Sequence, residues 1–186
     1  MRLRIIGGRL KGKKLQSVPG VLTRPTASRV RESVFNILAF DVKGARVLDL
    51  FAGSGMLGLE AISRGAASAL FVEHHRQPLT IIQKNISSCG LDAATRVLRC
   101  DLRHDFNWAS ASGSGFQLVF MDPPYNKDFV NSTLAKLHTA GLLEEDAIVA
   151  VEHSPLEPIA EEESPFVLKD QRKYGKTLVS FLLYTV

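Results

Sequence analysis

From Arg46 to Glu152 the sequence alternates short apolar runs of strand length with longer segments of helical period, and this alternation restricts the fold more than any other feature. RVLDL is followed by MLGLEAISRG, ALFVE by RQPLTIIQKNISSCG, RVLRC by a loop, FQLVFM by DFVNSTLAKLHTAG, and then comes AIVAVE. Repeated strand-helix units fold as a parallel, doubly wound α/β sheet with right-handed crossovers. SASGSG predicts a surface loop, and EEDA a loop ahead of the fifth strand. The final stretch, VLKDQRKYGKTLVSFLLYTV, has two strand patterns and no helix between them. It predicts an antiparallel hairpin joined at Lys173 to Gly175.

Open sheets of this kind bind ligands beyond the carboxyl ends of their strands. Acids stand there after the first four strands: Asp49, Glu73, Asp101 and Asp122. The first strand runs into LDLFAGSGMLGLEA, whose Gly53, Gly55 and Gly58 satisfy the G-x-G-x-x-G pattern, weak evidence by itself. Small residues in this loop let a ligand approach the backbone, whereas Gly58 reads as a helix-packing residue. Glu73 follows at the distance where an acid accepts the hydroxyls of a ribose, and to this point a nicotinamide cofactor fits as well. Asp49 favours another nucleoside, because it is a poor neighbour for a pyrophosphate and a good one for a sulfonium cation. Asp101 can accept a hydrogen bond from an adenine amino group, and the set fits S-adenosylmethionine.

The fourth strand ends in FMDPPYNKDF. Prolines 123 and 124 end sheet pairing and preset the direction of the Pro123 carbonyl. Asp122 offers a carboxylate, Pro123 a C=O and Tyr125 a flat face, which together suit an amino group on a planar ring.

Charge is distributed unevenly. Up to Arg31 there are nine basic residues (Arg2, Arg4, Arg9, Lys11, Lys13, Lys14, Arg24, Arg29, Arg31) and no acid, whereas the remainder holds 14 basic and 19 acidic residues. A basic arm on a mildly acidic body is an electrostatic footprint for nucleic acid. LRIIGGRLKGKKLQSV reads as a hairpin about Gly7-Gly8 with a basic outer face, and residues 28–38 as an amphipathic helix. The expected division is therefore a basic hairpin extension over 1–27 and one α/β domain over 28–186. Cys89 and Cys100 lack metal-ligand spacing, His74 and His75 lack a third ligand, and no apolar run is long enough for a secretion signal or a membrane span. A cytoplasmic, metal-free monomer is the expectation.

With these motifs in hand the chain resembles the class I S-adenosylmethionine-dependent methyltransferases: DLFAGSG as motif I, Glu73 as the ribose acid, Asp101 as the adenine acid and DPPY as the amino-methylating motif. RIIGGRLKGKKL, RPTASRVRESVFNIL and the late KYGKT are similar to the RsmD family of bacterial 16S rRNA guanine-N2 methyltransferases. The resemblance implies a Rossmann-like, mostly parallel seven-stranded sheet. Its target would be a guanine exocyclic amine in 16S ribosomal RNA of the small subunit or an assembly intermediate. It implies Asp122, Pro123, Pro124 and Tyr125 as catalytic residues. The cofactor contacts it implies are Asp49, Phe51, Ala52, Gly53, Ser54, Gly55, Glu73, Asp101 and Asp122. Arg2, Arg4, Arg9, Lys11, Lys13, Lys14 and Arg24 are the expected RNA contacts, while Tyr174 and Gly175 read most simply as a hairpin turn. The rivals are an adenine-N6 methyltransferase, a glutamine methyltransferase, which usually has Asn where Asp122 stands, and a non-catalytic RNA-binding module that leaves DPPY unexplained.

Overall fold

Every strand expected from the α/β alternation is present in the computed structural model, which describes residues 3–19, 25–104, 106, 108, 115–160 and 164–185, with the backbone alone at 25–27. The strands are β1 Arg46–Leu50, β2 Ser68–Glu73, β3 Thr95–Arg99, β4 Phe116–Met121, β5 Leu143–His153, β6 Phe166–Tyr174 and β7 Thr177–Tyr184. The helices are α1 Pro25–Ile37, α2 Met56–Ser63, α3 Arg76–Cys89 and α4 Phe129–Thr139. The strands form a seven-stranded mixed sheet in the order β3-β2-β1-β4-β5-β7-β6. Residues 1–100 and 101–186 make two compact units. No helix among the described residues is long and apolar enough to cross a membrane.

In the first unit β1 pairs in parallel with β2, and β2 with β3. Val47, Leu48 and Leu50 are fully buried, as expected of a strand covered on both faces. The same strand buries Asp49, and α2 buries Glu60, so two carboxylates lie in the apolar interior. Helix α1 starts at Pro25, ahead of the expected Ser28, because proline is preorganised for the first helical position and its missing N-H is not needed there. Its buried face holds Val34 and Phe35, with Leu38 buried just after it, and also Arg31, which the charge pattern grouped with the basic arm.

The arm is a hairpin of a different kind from the one expected. A single antiparallel bridge joins Arg4 to Lys14, and Ile5 N-H donates to the Lys13 carbonyl at 3.0 Å. Gly7 and Gly8 do not form a tight turn between strands; they dock on the end of α2. Gly8 has φ 71°, and a Cβ there would stand 1.9 Å from the Ser63 carbonyl oxygen, so only glycine allows this approach. Arg9 N-H donates to that carbonyl at 2.8 Å, and the Ser63 hydroxyl accepts from Leu10 N-H at 2.9 Å and donates to the Gly7 carbonyl at 2.6 Å. With Ile5 and Leu15 buried, the arm is a docked element with its basic side chains outward.

In the second unit β4 and β5 are parallel, and β7 pairs antiparallel with both β5 and β6. EEDA, expected as a loop, falls within β5, but the ladder breaks there: Phe116 pairs with Leu143 and the next pair is Leu118 with Ile148. Asp146 takes φ 64° at this irregularity, and Gln117 Nε2 donates to Glu144 Oε2 at 2.7 Å. The β6–β7 hairpin closes at Tyr174–Thr177, so Gly175 and Lys176 make the turn and Lys173 belongs to the ladder opposite Leu178. The pairing runs from Phe166 opposite Tyr184 to the turn, with one register irregularity between Leu168 and Asp170. The SASGSG loop lies outside the described residues except for Gly115.

Candidate active site

The first unit assembles the glycine loop and two of the expected acids. After β1 the chain passes through left-handed conformations at Phe51 (φ 57°), Gly53 (φ 56°) and Gly55 (φ 75°). Phe51 is the exception among these, since a side chain is disfavoured there, and such residues concentrate at ligand sites. Ala52 N-H donates to the Val72 carbonyl at 3.1 Å, which holds the loop on the end of β2. Asp49 is 2% exposed and its Oδ2 accepts from Gly58 N-H at 2.9 Å, at the first turn of α2. Gly58 is a packing glycine, as read from the sequence: a Cβ there would lie 2.4 Å from the Phe71 ring.

Glu73 is the hinge of this half. Its Oε2 accepts from Gly53 N-H at 3.0 Å, and its Oε1 accepts from the N-H groups of His74 and His75 at 2.7 and 2.8 Å. A carboxylate has about four acceptor positions, so three main-chain donors leave room for roughly one strong bond from a ligand hydroxyl. The structure therefore adds to the expected ribose role a tether between β2 and the glycine loop. There is room at Gly53: among the described residues, its chain neighbours aside, the nearest atom to a Cβ built there is the Phe51 carbonyl oxygen at 3.9 Å.

Asp101, the acid after β3, begins the second unit. Arg103 grips its carboxylate from within the same turn, with Nε at 3.0 and 3.1 Å from the two oxygens, while its own N-H donates to Oδ1 at 3.1 Å. An adenine contact must share this carboxylate with Arg103.

In the second unit the Asp-Pro-Pro-Tyr turn follows β4. Asp122 is open to solvent, Pro123 is buried, and Pro124 is exposed. Among the described residues nothing donates a hydrogen bond to the Asp122 carboxylate. Its pKa is pushed up to about 7, chiefly by burial and then by the Glu152 charge. The two observations are compatible: part of the residue meets solvent, while the surrounding protein desolvates the carboxylate and disfavours its charge.

Tyr125 is held by its hydroxyl. It donates to Glu152 Oε1 at 2.7 Å and lies 3.2 Å from Thr177 Oγ1, while the residue keeps 39% of its surface exposed. Burial first, and then the Glu152 carboxylate, raise the phenol pKa, so the hydroxyl is a fixed donor. Beyond the tyrosine, buried Glu157 accepts from Asn126 N-H at 2.9 Å and anchors the turn. Glu152 and Glu157 were not singled out in the sequence. Glu152 ends the apolar run AIVAVE as Glu73 ends ALFVE, and that signal points to it.

Arg4, Arg9, Lys11, Lys13 and Lys14 are all exposed on the arm, while Arg2 and Arg24 lie outside the described residues. Arg31 is turned inward: its Nη2 donates to the Arg4 carbonyl at 2.9 Å and its Nε is 3.8 Å from Glu60. Trp108 packs on Phe106, with ring centroids 5.3 Å apart, which agrees with a role in local packing.

Dinucleotide-binding doubly wound sheets run 3-2-1-4-5-6, with every strand parallel. Here β7 lies between β5 and β6 and is antiparallel to both, and that insertion marks the chain as a class I methyltransferase. The model of the family described as conserved hypothetical protein 95 matches residues 3–183. The chain belongs to this family, the RsmD family. Ribosomal RNA small subunit methyltransferase D of Escherichia coli is 38% identical over 151 residues, which cover 81% of this chain and 74% of that protein. The candidate rRNA methyltransferase YlbH of Bacillus subtilis is 35% identical over 178 residues, 96% of this chain and 97% of that one. The solved structure of yhhF, a candidate methyltransferase from Escherichia coli, superposes with a TM-score of 0.85 at 33% identity, covering 100% of this chain and 99% of that one.

Proposed function

We propose that the chain transfers a methyl group from S-adenosylmethionine to the exocyclic N2 amine of a guanine in 16S ribosomal RNA of the small subunit, acting as a monomer. The observation that carries this reading is the Asp-Pro-Pro-Tyr turn: an open acceptor at Asp122 beside a tyrosine whose ring is fixed through its hydroxyl. Relatives named as small-subunit rRNA methyltransferases supply the substrate class.

The residues of the first unit fit the cofactor. The open backbone above Gly53 admits a ligand, Glu73 has an acceptor position for a ribose hydroxyl, and buried Asp49 contributes negative charge beside the loop. When bound, the cofactor supplies an electrophilic methyl on a sulfonium.

An exocyclic amine is a poor nucleophile because its lone pair is delocalised into the ring. Asp122 and the Pro123 carbonyl accept its two N-H groups and turn the lone pair out of the ring plane. Tyr125 stacks on the base and limits its rotation, so the chain acts mainly by positioning and by preorganised acceptors. The base reaches these groups unstacked or flipped from its RNA. The bound cofactor would supply the methyl as its C-S bond gives way to the new N-C bond and would leave as a neutral thioether, and the proton lost by the amine would pass to the Asp122 carboxylate or to solvent.

Incubation with methyl-labelled cofactor and small subunits that lack their native methylations tests the reading. Label on guanine N2 of 16S RNA is the expected result; label on an adenine replaces the target, and no label from folded protein refutes the activity. Glu73→Ala is expected to weaken cofactor binding roughly tenfold to a hundredfold in calorimetry, the worth of about 1.5–3 kcal/mol for hydrogen bonds to a charged group. Unchanged affinity in a folded variant removes Glu73 from the site. Replacing Arg9, Lys11, Lys13 and Lys14 together by Ala is expected to weaken RNA binding and flatten its salt dependence, because fewer counterions are released per complex. An unchanged salt slope places the RNA elsewhere.

A further inference from the structure

Asn85 lies on α3, is 1% exposed, and spends its whole amide on main-chain groups from two distant segments. Its Oδ1 accepts from Gln16 N-H at 2.8 Å, and its Nδ2 donates to the Gln16 carbonyl at 3.0 Å and to the Ser54 carbonyl at 3.0 Å. Gln16 ends the arm that carries Arg9, Lys11, Lys13 and Lys14, and Ser54 is in the middle of the glycine loop. The side chain thus pairs with Gln16 as a neighbouring strand would and fastens the glycine loop with its remaining hydrogen. The same helix meets the loop a second time at Ile82, 3.4 Å from a Cβ built on Gly55.

The arm's fastenings on Glu60 and Ser63 of α2 and on Arg31 of α1 make no such link: among the described residues their hydrogen bonds to the arm reach Arg4, Ile6, Gly7, Arg9 and Leu10. Among the described residues, this one buried side chain hydrogen-bonds both the segment with the exposed cations and the segment with the left-handed loop. Burial matters here. A solvated asparagine could exchange either partner for water, whereas a buried one must keep both or leave polar groups unsatisfied.

We infer that Asn85 is a positioning residue through which RNA on the arm and methyl donor on the glycine loop strengthen each other's binding. Each ligand restrains a segment hydrogen-bonded to the same amide, so the second to bind meets a partner already ordered. Positive coupling follows, and linkage makes it equal in both directions. This rests on the proposed RNA role of the arm and cofactor role of the loop.

The test measures binding of the full chain to immobilised small ribosomal subunits lacking their native methylations, with and without saturating S-adenosylhomocysteine, which cannot react. In the wild type the nucleoside is expected to tighten subunit binding about fivefold or more, within the usual range for coupled sites. Asn85→Ala is expected to bring that ratio to one. Asn85→Asp is expected to do the same, since it keeps the acceptor for Gln16 N-H but sets a carboxylate against two carbonyls. A residue that only supports the fold would weaken both affinities and leave their ratio intact, so an unchanged ratio in either folded variant overturns the inference. A wild-type ratio of one also overturns it. If neither variant folds, hydrogen exchange on the wild type decides: S-adenosylhomocysteine alone must slow exchange of the Gln16 N-H, and an unchanged rate sinks the coupling. A wild type that binds neither ligand refutes the functional reading itself; one that binds both independently refutes only the coupling.

Discussion

Asp122→Ala is expected to lower single-turnover methyl transfer by about 10²- to 10³-fold, the usual loss when one preorganised polar partner is removed from a closed site. The strand and the Pro-Pro turn should survive, because the turn is anchored by Glu157 on Asn126 N-H and by Glu152 and Thr177 on the Tyr125 hydroxyl, and among the described residues none donates to the Asp122 carboxylate. Cofactor affinity should change little, since the loop and Glu73 belong to the first unit. Asp122→Asn separates two roles: it keeps an amide oxygen as acceptor, so pure orientation leaves partial activity, whereas proton acceptance predicts a loss like that of alanine. Wild-type rates in Asp122→Ala would refute the assignment of this turn as the catalytic site.

The same residue sets an expected pH dependence. With its pKa raised from 3.8 to about 7, Asp122 is the acceptor carboxylate only at and above neutral pH. The kcat/KM, which reports groups of the free enzyme, should climb as pH rises towards 7 and then level off, and Asp122→Asn should abolish that limb. Glu152→Gln should move the limb to lower pH by removing the neighbouring negative charge. Stability runs the other way. The folded protein holds this proton more tightly than the unfolded chain, so the contribution is complete below pH 3.8 and is lost as pH rises through about 7. Denaturation of Asp122→Asn should show a smaller decline in stability over that interval than the wild type.

The parts legible in the sequence are those fixed by local spacing. The alternation of RVLDL, ALFVE and FQLVFM with helical segments reports the sheet directly, because burial on both faces demands continuous apolar runs. Asp49, Glu73 and Asp122 could be found because each interrupts or ends such a run at the strand's carboxyl end. What a side chain bonds to across tens of residues leaves no such trace. Asn85 in RQPLTIIQKNISSC reads as one polar helix residue among several, and its partners at Gln16 and Ser54 are 69 and 31 residues away. Arg31 was misplaced for the same reason: charge composition counts a guanidinium without knowing that Glu60 lies beneath it. Glu60 did leave a trace, as the single acid in MLGLEAIS, a helix apolar on nearly every face.

Glu60→Ala is expected to lower stability by about 3–5 kcal/mol, the range for removing one partner of a buried ion pair and stranding the other. Glu60 is fully buried, and its two oxygens accept three hydrogen bonds and face a fourth, cationic group. Ile6 N-H and Gly7 N-H bind at 2.8 Å each, Arg64 Nε at 2.8 Å, and Arg31 Nε lies at 3.8 Å. Burial already pulls the Arg31 pKa down, and Glu60 is the group that opposes it, so without the carboxylate a buried cation faces Arg64 alone. Two arm N-H groups lose their acceptor at the same time, which adds to the loss because they sit against α2, where water replaces the carboxylate poorly. For a chain of this length each kcal/mol is worth roughly 2–4 °C, so the midpoint of thermal unfolding should fall by about 6–20 °C. Arg64→Ala, which removes a partner that is 21% exposed, should have the smaller effect. A Glu60→Ala midpoint within a degree or two of the wild type would show that water or a rearranged Arg31 replaces the carboxylate, and the arm would then owe its docking to Ile5, Leu15 and Ser63.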